Sequence, residues 1–241
     1  MPEPVSTIGA TISVADKAID VVKTYAPKYI DWARTKLFGK RIILIGPGEA
    51  GKSSFIDYLL FGELTDEGDT SRNIAVKKTG LLNLNYGRNE QYTLRLKYAI
   101  DTVGQTGATN HALLAYEQNP HAMIIVFDST EYGSSDKNKD ALIWSKEFTE
   151  QFERQWINNS SNKKNKLKGI IVVLNKLDKL TEDDKSYDDM LEELKPVFKT
   201  LVNSTKNFEQ RIRFKKGVFV KSKFGVEFAN AVLSMTCKLF V

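Results

Sequence analysis

With 241 residues, 41% of them hydrophobic and 27% charged, the chain has the usage of a soluble folded protein holding one large core, or one domain and a small appendage. Its 35 basic residues face 30 acidic ones, a net charge of +5 too mild and too dispersed for a nucleic-acid arm, so charge allows a nucleic-acid partner without leading us to expect one. The single cysteine, Cys237, excludes an internal disulfide, fits a reducing, cytoplasmic compartment, and sits in an apolar pattern that suits a buried structural thiol.

No apolar run approaches the roughly 20 residues that span a bilayer, and the N-terminus lacks the basic-then-apolar order of a secretory signal. Pro2 stands where myristoylation needs glycine, and Cys237 is fifth from the end where prenylation needs the fourth, so no covalent lipid anchor is expected. Residues 1–39 are expected to form a helical extension. Ile8, Ile12, Ala15, Ile19 and Val22 recur at alternating intervals of four and three, with Asp16, Lys17, Asp20 and Lys23 between them, which predicts an amphipathic helix up to Pro27. A second, shorter helix is predicted over 29–38, with Trp32 and Leu37. Packing on the domain behind is the simplest use of such a stripe. Binding a partner, or a peripheral contact with a membrane surface, is the other, and the mixed charge of the polar face counts against the membrane.

Residues 40–241 read as one domain of alternating strand and helix. Strands are predicted over 41–45, 81–86, 92–100, 123–127, 170–174 and 218–220. The runs IILI, MIIVF and IIVVL are apolar throughout, as in strands covered on both faces, whereas YTLRLKYAI alternates. YGRNEQ supplies a turn, so the second and third strands are expected to pair as an antiparallel hairpin at one edge. Helices are predicted over 53–61, 110–117, 141–157, 187–203 and 226–240. The expected fold class is therefore α/β: a six-stranded, mostly parallel, doubly wound sheet with helices on both faces. Trp144, Phe148, Phe152 and Trp156 recur every four residues, a core stripe. His111 and His121 are too few and too isolated for a metal site, and surface or helix-end positions are expected.

The stretch GPGEAGKS, after a buried strand and before a helix, matches the G-x-x-x-x-G-K-S pattern of a Walker A phosphate loop through Gly46, Gly51, Lys52 and Ser53. Glycines let successive backbone N–H groups turn inward, so the loop from Gly46 through Gly48, Glu49, Ala50 and Gly51 to Lys52, Ser53 and Ser54 is the candidate phosphate cradle. The following helix adds its dipole. Lys52 is placed to reach the β- and γ-phosphates, and the Ser53 hydroxyl to ligate Mg²⁺.

The base is read from NKLD, Asn175 to Asp178, directly after the buried strand IIVVL and so at the carboxyl edge of the sheet. The Asp178 carboxylate can accept from the N1–H and the exocyclic amine of guanine, whereas adenine would leave it unpaired. Lys176 can lay its stem over the base, and Asn175 can brace the loop. Between the two motifs, AIDTVGQTG places Asp101 to hold Mg²⁺, the Gly104 amide to sense the γ-phosphate and Gln105 to orient a water.

In this order the motifs resemble those of the Ras-like small GTPases, with DTVGQ matching D-x-x-G-Q and NKLD matching N-K-x-D from residue 41 to about 240. Within that superfamily GPGEAGKS, including Glu49, is similar to the loop of heterotrimeric G-protein α subunits, and VFDST at 126–130 is similar to the Arf branch. The resemblance implies a P-loop fold that hydrolyses GTP to GDP with Mg²⁺, with Gln105 and Lys52 as catalytic residues. It also implies a Mg²⁺-binding threonine, for which Thr79 lies at the family's interval before Asp101 and Thr70 needs a longer return. Val76 occupies the position where α subunits keep an arginine, so turnover is expected to be slow without an activating protein. A last guanine contact is implied in KSKFG, where Ser222 and Lys223 are the candidates. The implied function is a nucleotide-dependent switch with protein effectors. A constitutively GTP-loaded scaffold is the alternative, and an ATPase or kinase would not carry NKLD.

Overall fold

The computed structural model describes residues 40–61, 64, 75–77, 81–86, 90–101, 107–158, 166–199, 201 and 212–240, with the backbone alone at 60–61, 75–77, 81–86, 90–101 and 158. The two helices expected within 1–39 lie outside these residues. In chain order the elements are β1 (Lys40–Ile45), α1 (Lys52–Phe61), β2 (Ala75–Lys77), β3 (Leu81–Tyr86), β4 (Glu90–Asp101), α2 (Ala108–Gln118) and β5 (Ala122–Asp128). They continue with α3 (Ala141–Asn158), β6 (Gly169–Asn175), α4 (Tyr187–Lys199), β7 (Ile212–Lys216) and α5 (Lys223–Lys238).

The sheet runs β2-β4-β1-β5-β6-β7, with β3 also paired to β4. From β4 through β7 every pairing is parallel. The expected hairpin is present, Leu82 standing opposite Leu94 in the antiparallel β3–β4 pair. All residues of β5 and β6 are buried, because helices cover both faces. On one face Ile42, Leu44, Ile124, Val126, Ile171 and Val173 pack with Phe55 and Ile56 of α1 and with Phe228 and Val232 of α5. On the other, Ile43, Ile45, Ile125, Phe127 and Val172 pack with Ala112 of α2, Trp144 and Phe148 of α3, and Leu194 of α4. Strict alternation along each strand thus feeds two separate cores, which is the doubly wound arrangement. The aromatic stripe of α3 is core: Trp144 and Phe148 stack at 5.0 Å, Phe148 and Phe152 at 5.7 Å. Cys237 lies in the α5 core, where burial pushes its thiol up to about 11.

Three expectations are corrected. The described sheet has seven strands rather than six, because Ala75–Lys77 pairs with the end of β4. The last strand is Ile212–Lys216 and not 218–220. Its sequence IRFKK hid it: β7 is an edge strand, where charged side chains face water and blunt further pairing. The apolar VFV that drew the prediction is a loop, whose Phe219 N–H donates to a side chain instead of a ladder. Finally, His111 is buried rather than surface-placed, its ring 5.5 Å from that of Trp144 on the packed side of α2. Among the described residues, no helix is long and apolar enough to cross a membrane.

Candidate functional site

β1 ends at Ile45 and the chain reverses over the carboxyl edge of the sheet. Gly46 makes the turn at φ +135°, and a Cβ there would lie 2.1 Å from the carbonyl oxygen of Val126 on β5. Only glycine satisfies both the dihedral and the approach. Gly51 closes the loop at φ +95°, with its virtual Cβ 2.3 Å from Asn175 Nδ2. Glu49 holds a left-handed φ of +61° and points outward, its carboxylate 3.8 Å from Lys139 Nζ. The Lys139 ammonium is raised by its hydrogen bond and charge interaction with Glu131 and then by the charge of Glu49. Ala50 is fully buried, so the loop is anchored from below.

α1 begins at Lys52, and Phe55 N donates to Gly51 O to form its first turn. The Lys52 side chain is 5% exposed and folds back, its Nζ donating to Gly46 O at 3.0 Å and to Pro47 O at 2.5 Å. That places the ammonium across the mouth of the loop. Ser53 is half-buried beside it and Ser54 is buried. Asp101 ends β4 level with Leu44 on β1, so both strands deliver their last residues to one edge.

Asn175 ties this edge together. It is 2% exposed, its Nδ2 donates to Ala50 O at 2.9 Å, and its Oδ1 accepts from Phe219 N at 2.8 Å. A single amide therefore clamps the glycine-rich loop to the segment before α5, and it does so out of reach of competing water. Phe219 reinforces the clamp by stacking on Phe55 of α1 at 4.9 Å. Lys176 follows in the left-handed region at φ +62°, which turns the chain into the short 3-10 turn Leu177–Lys179. Asp178 sits exposed on that turn.

Lys176 is steered by a residue that motif reading placed only as a branch resemblance. Asp128, 6% exposed at the end of β5 and in register with Asn175, accepts from Lys176 Nζ at 2.6 Å through Oδ2. Its Oδ1 accepts from the Thr130 N–H at 3.1 Å and hydroxyl at 2.8 Å. An aspartate at the end of a fully apolar strand is the signal that could have singled it out. The helix after KSKFG begins earlier than the 226 expected from the sequence. Ser222 is the N-cap of α5, its Oγ accepting from Gly225 N at 3.1 Å, and Lys223 is the first helical residue. Gly225 allows the tight entry, since a Cβ would meet Val220 O at 2.0 Å.

The glycine-rich loop, Asn175, Lys176 and the 217–222 segment thus converge on one edge, with Asp178 on the turn beside them and the backbone of Asp101 level with β1. Thr79, Gly104 and Gln105 lie outside the described residues. A family model described as "Ras of Complex, Roc, domain of DAPkinase" matches residues 41–178, more than half of the chain. The chain belongs to the Roc family. Roc is a Ras-like GTPase family, and the match opens at β1 and closes on Asp178, so it takes in the phosphate loop and all of NKLD. No individual curated protein matches this Roc chain. The glycine cradle fits a polyphosphate, because its two closest approaches would be filled by any side chain. Ser53 stands at the head of α1, and the backbone of Asp101 ends β4.

Proposed function

We propose that this Roc domain binds GTP with Mg²⁺, hydrolyses it to GDP, and serves as a nucleotide-dependent switch. The observation that carries the reading is the Asn175 clamp, which couples the loop expected to hold phosphate to the segments expected to hold the base. Backbone N–H groups from Gly48 to Ser54 and the Lys52 ammonium take the β- and γ-phosphates. Asp178 reads the guanine edge, Lys176 covers the base plane, and the chain around Ser222 and Lys223 closes the far side. Ser53, Asp101 and Thr79 hold Mg²⁺, which when bound neutralises charge on the phosphate oxygens. Gln105 orients a water in line with the bond from the γ-phosphorus to its bridging oxygen. As that bond breaks, Lys52 and the loop amides stabilise the charge passing to GDP. Thr79 and the Gly104 amide release when the γ-phosphate leaves, and that release is the signal to effectors.

Val76 lies in β2 opposite Ile100, so the arginine position of the α subunits is a strand residue here. That favours slow intrinsic turnover and keeps the GTP-loaded scaffold as a second reading. Calorimetry on nucleotide-stripped protein is expected to show GTP preferred over ATP by about a hundredfold or more, with the preference lost in Asp178→Asn. Equal affinities sink the guanine reading. Single-turnover hydrolysis by wild type and Gln105→Ala then separates the two: measurable turnover reduced in the variant supports the switch, and equal negligible rates support the scaffold.

A further inference from the structure

The opposite end of the sheet carries chemistry that nucleotide binding does not use. β1, β5 and β6 begin there, and α5 ends there, as the Lys40 ammonium 5.5 Å from the Phe240 ring centre requires. Lys40, Arg41, Lys166 and Lys168 surround His121, and together they press positive charge on its ring. Lys166 and Lys168 are exposed, Lys40 and Arg41 half-buried, and Lys238 is exposed at the end of α5. Glu117, near the end of α2, is also exposed.

The array is built rather than accidental. His121 N donates to Arg41 O at 2.9 Å, and Lys168 N donates to His121 O at 2.8 Å. Arg41 N donates to His121 Nδ1 at 3.1 Å, and the guanidinium donates to Asn119 O at 2.7 Å. Asn119 itself holds a left-handed φ of +45° and accepts from Lys166 N through Oδ1 at 3.0 Å. Main-chain bonds thus fix where Lys166 and Lys168 emerge, and both side chains are exposed.

We propose that this basic end of the sheet docks the protein on a bilayer containing acidic phospholipids, with the nucleotide edge turned toward water. A bilayer suits it better than an acidic peptide because the charges emerge from the ends of several elements. The ring of Phe240 beside Lys40 adds an apolar contact. Clustered surface lysines are drawn to the negative potential of an anionic bilayer, an attraction that salt screens. The proposal does not rest on the nucleotide reading.

The test sediments the full chain with vesicles of phosphatidylcholine alone and of phosphatidylcholine mixed with phosphatidylserine. Partition into the acidic vesicles only is expected, falling as salt rises. Each surface lysine contributes about fivefold, so Lys166→Gln with Lys168→Gln lowers the partition coefficient by roughly 25-fold at unchanged melting temperature and GTP affinity. Lys137→Gln with Lys146→Gln removes the same charge elsewhere and should leave partition near wild type. An equal fall in that control pair overturns the proposal, as does equal binding to neutral vesicles. Failure to bind acidic vesicles overturns it too, and binding of poly-glutamate that needs Lys166 and Lys168 would then mark an acidic protein as the partner.

Discussion

The two ends of one parallel sheet use the same strands in opposite ways. At the carboxyl end, buried side chains make the connections: Asn175 bridges Ala50 and Phe219, and Asp128 holds Lys176. At the amino end, most of the bonds are donated or accepted by main-chain groups of Arg41, Asn119, His121, Lys166 and Lys168, and the lysine charges stay in water. The first arrangement sets loop positions tightly and tolerates little change. The second sets only where charges emerge, and substitution there should alter what the surface attracts far more than whether the chain folds.

The sharpest way to break that contrast is Gly46→Ala. Its methyl would press on a strand carbonyl from a φ of +135°, so we expect a loss of at least about 3 kcal/mol or failure to fold, read from the denaturation midpoint. Gly133 also has a positive φ, +78°, but nothing stands within 4 Å of its virtual Cβ. Gly133→Ala should therefore cost only about 1 kcal/mol. Equal costs at the two positions would mean that dihedral alone, and not the packing of the carboxyl edge, makes Gly46 necessary.

Asn175→Ala comes next. It strands the Ala50 carbonyl and the Phe219 N–H in a buried site, for about 2–3 kcal/mol. It should also lower GTP affinity by more than Val172→Ala, which empties space in the middle of the neighbouring core without touching a loop. Matched affinities would show that the amide is only structural.

Much of this was legible in the sequence, for physical reasons. IILI, MIIVF and IIVVL announced buried parallel strands because nothing polar can sit on either face of a doubly covered sheet. The GPGEAGKS loop was legible because glycine is the one residue that tolerates the φ of Gly46. β7 was hidden because an edge strand carries charge, and VFV misled because its apolar side chains serve a loop packed on Phe55 and Phe228. Asp128 was unreadable as a partner of Lys176 because the two lie 48 residues apart and meet only through the β5–β6 register. The basic end was diluted in a chain whose overall charge is mild, and only the fold brings Lys40 beside Lys166 and Lys168.

Asp128→Asn isolates the smaller of the carboxyl-edge effects. The amide oxygen can still accept from Thr130, so the turn survives while the charge opposite Lys176 is lost. Stability should fall by about 1 kcal/mol and GTP affinity by roughly tenfold, measured by denaturation and calorimetry. Unchanged affinity would mean that Lys176 finds the base without being steered.

The smallest expected effect belongs to the amino end and is visible only against pH. Burial first, and then the charges of Lys40, Arg41, Lys166 and Lys168, lower the His121 ring from 6.5 to about 4. Between those two values the unfolded chain takes up a proton that the folded chain refuses. The contribution of the neutral ring is therefore complete above pH 6.5 and is lost as pH falls toward 4, about 1 kcal/mol after discounting for partial exposure. His121→Asn keeps an oxygen to accept the Arg41 N–H but removes the titration, so its stability should fall less steeply across that window. Parallel slopes for variant and wild type would show that the ring feels neither its burial nor its cations, and that the amino end is a looser array than its main-chain bonds imply.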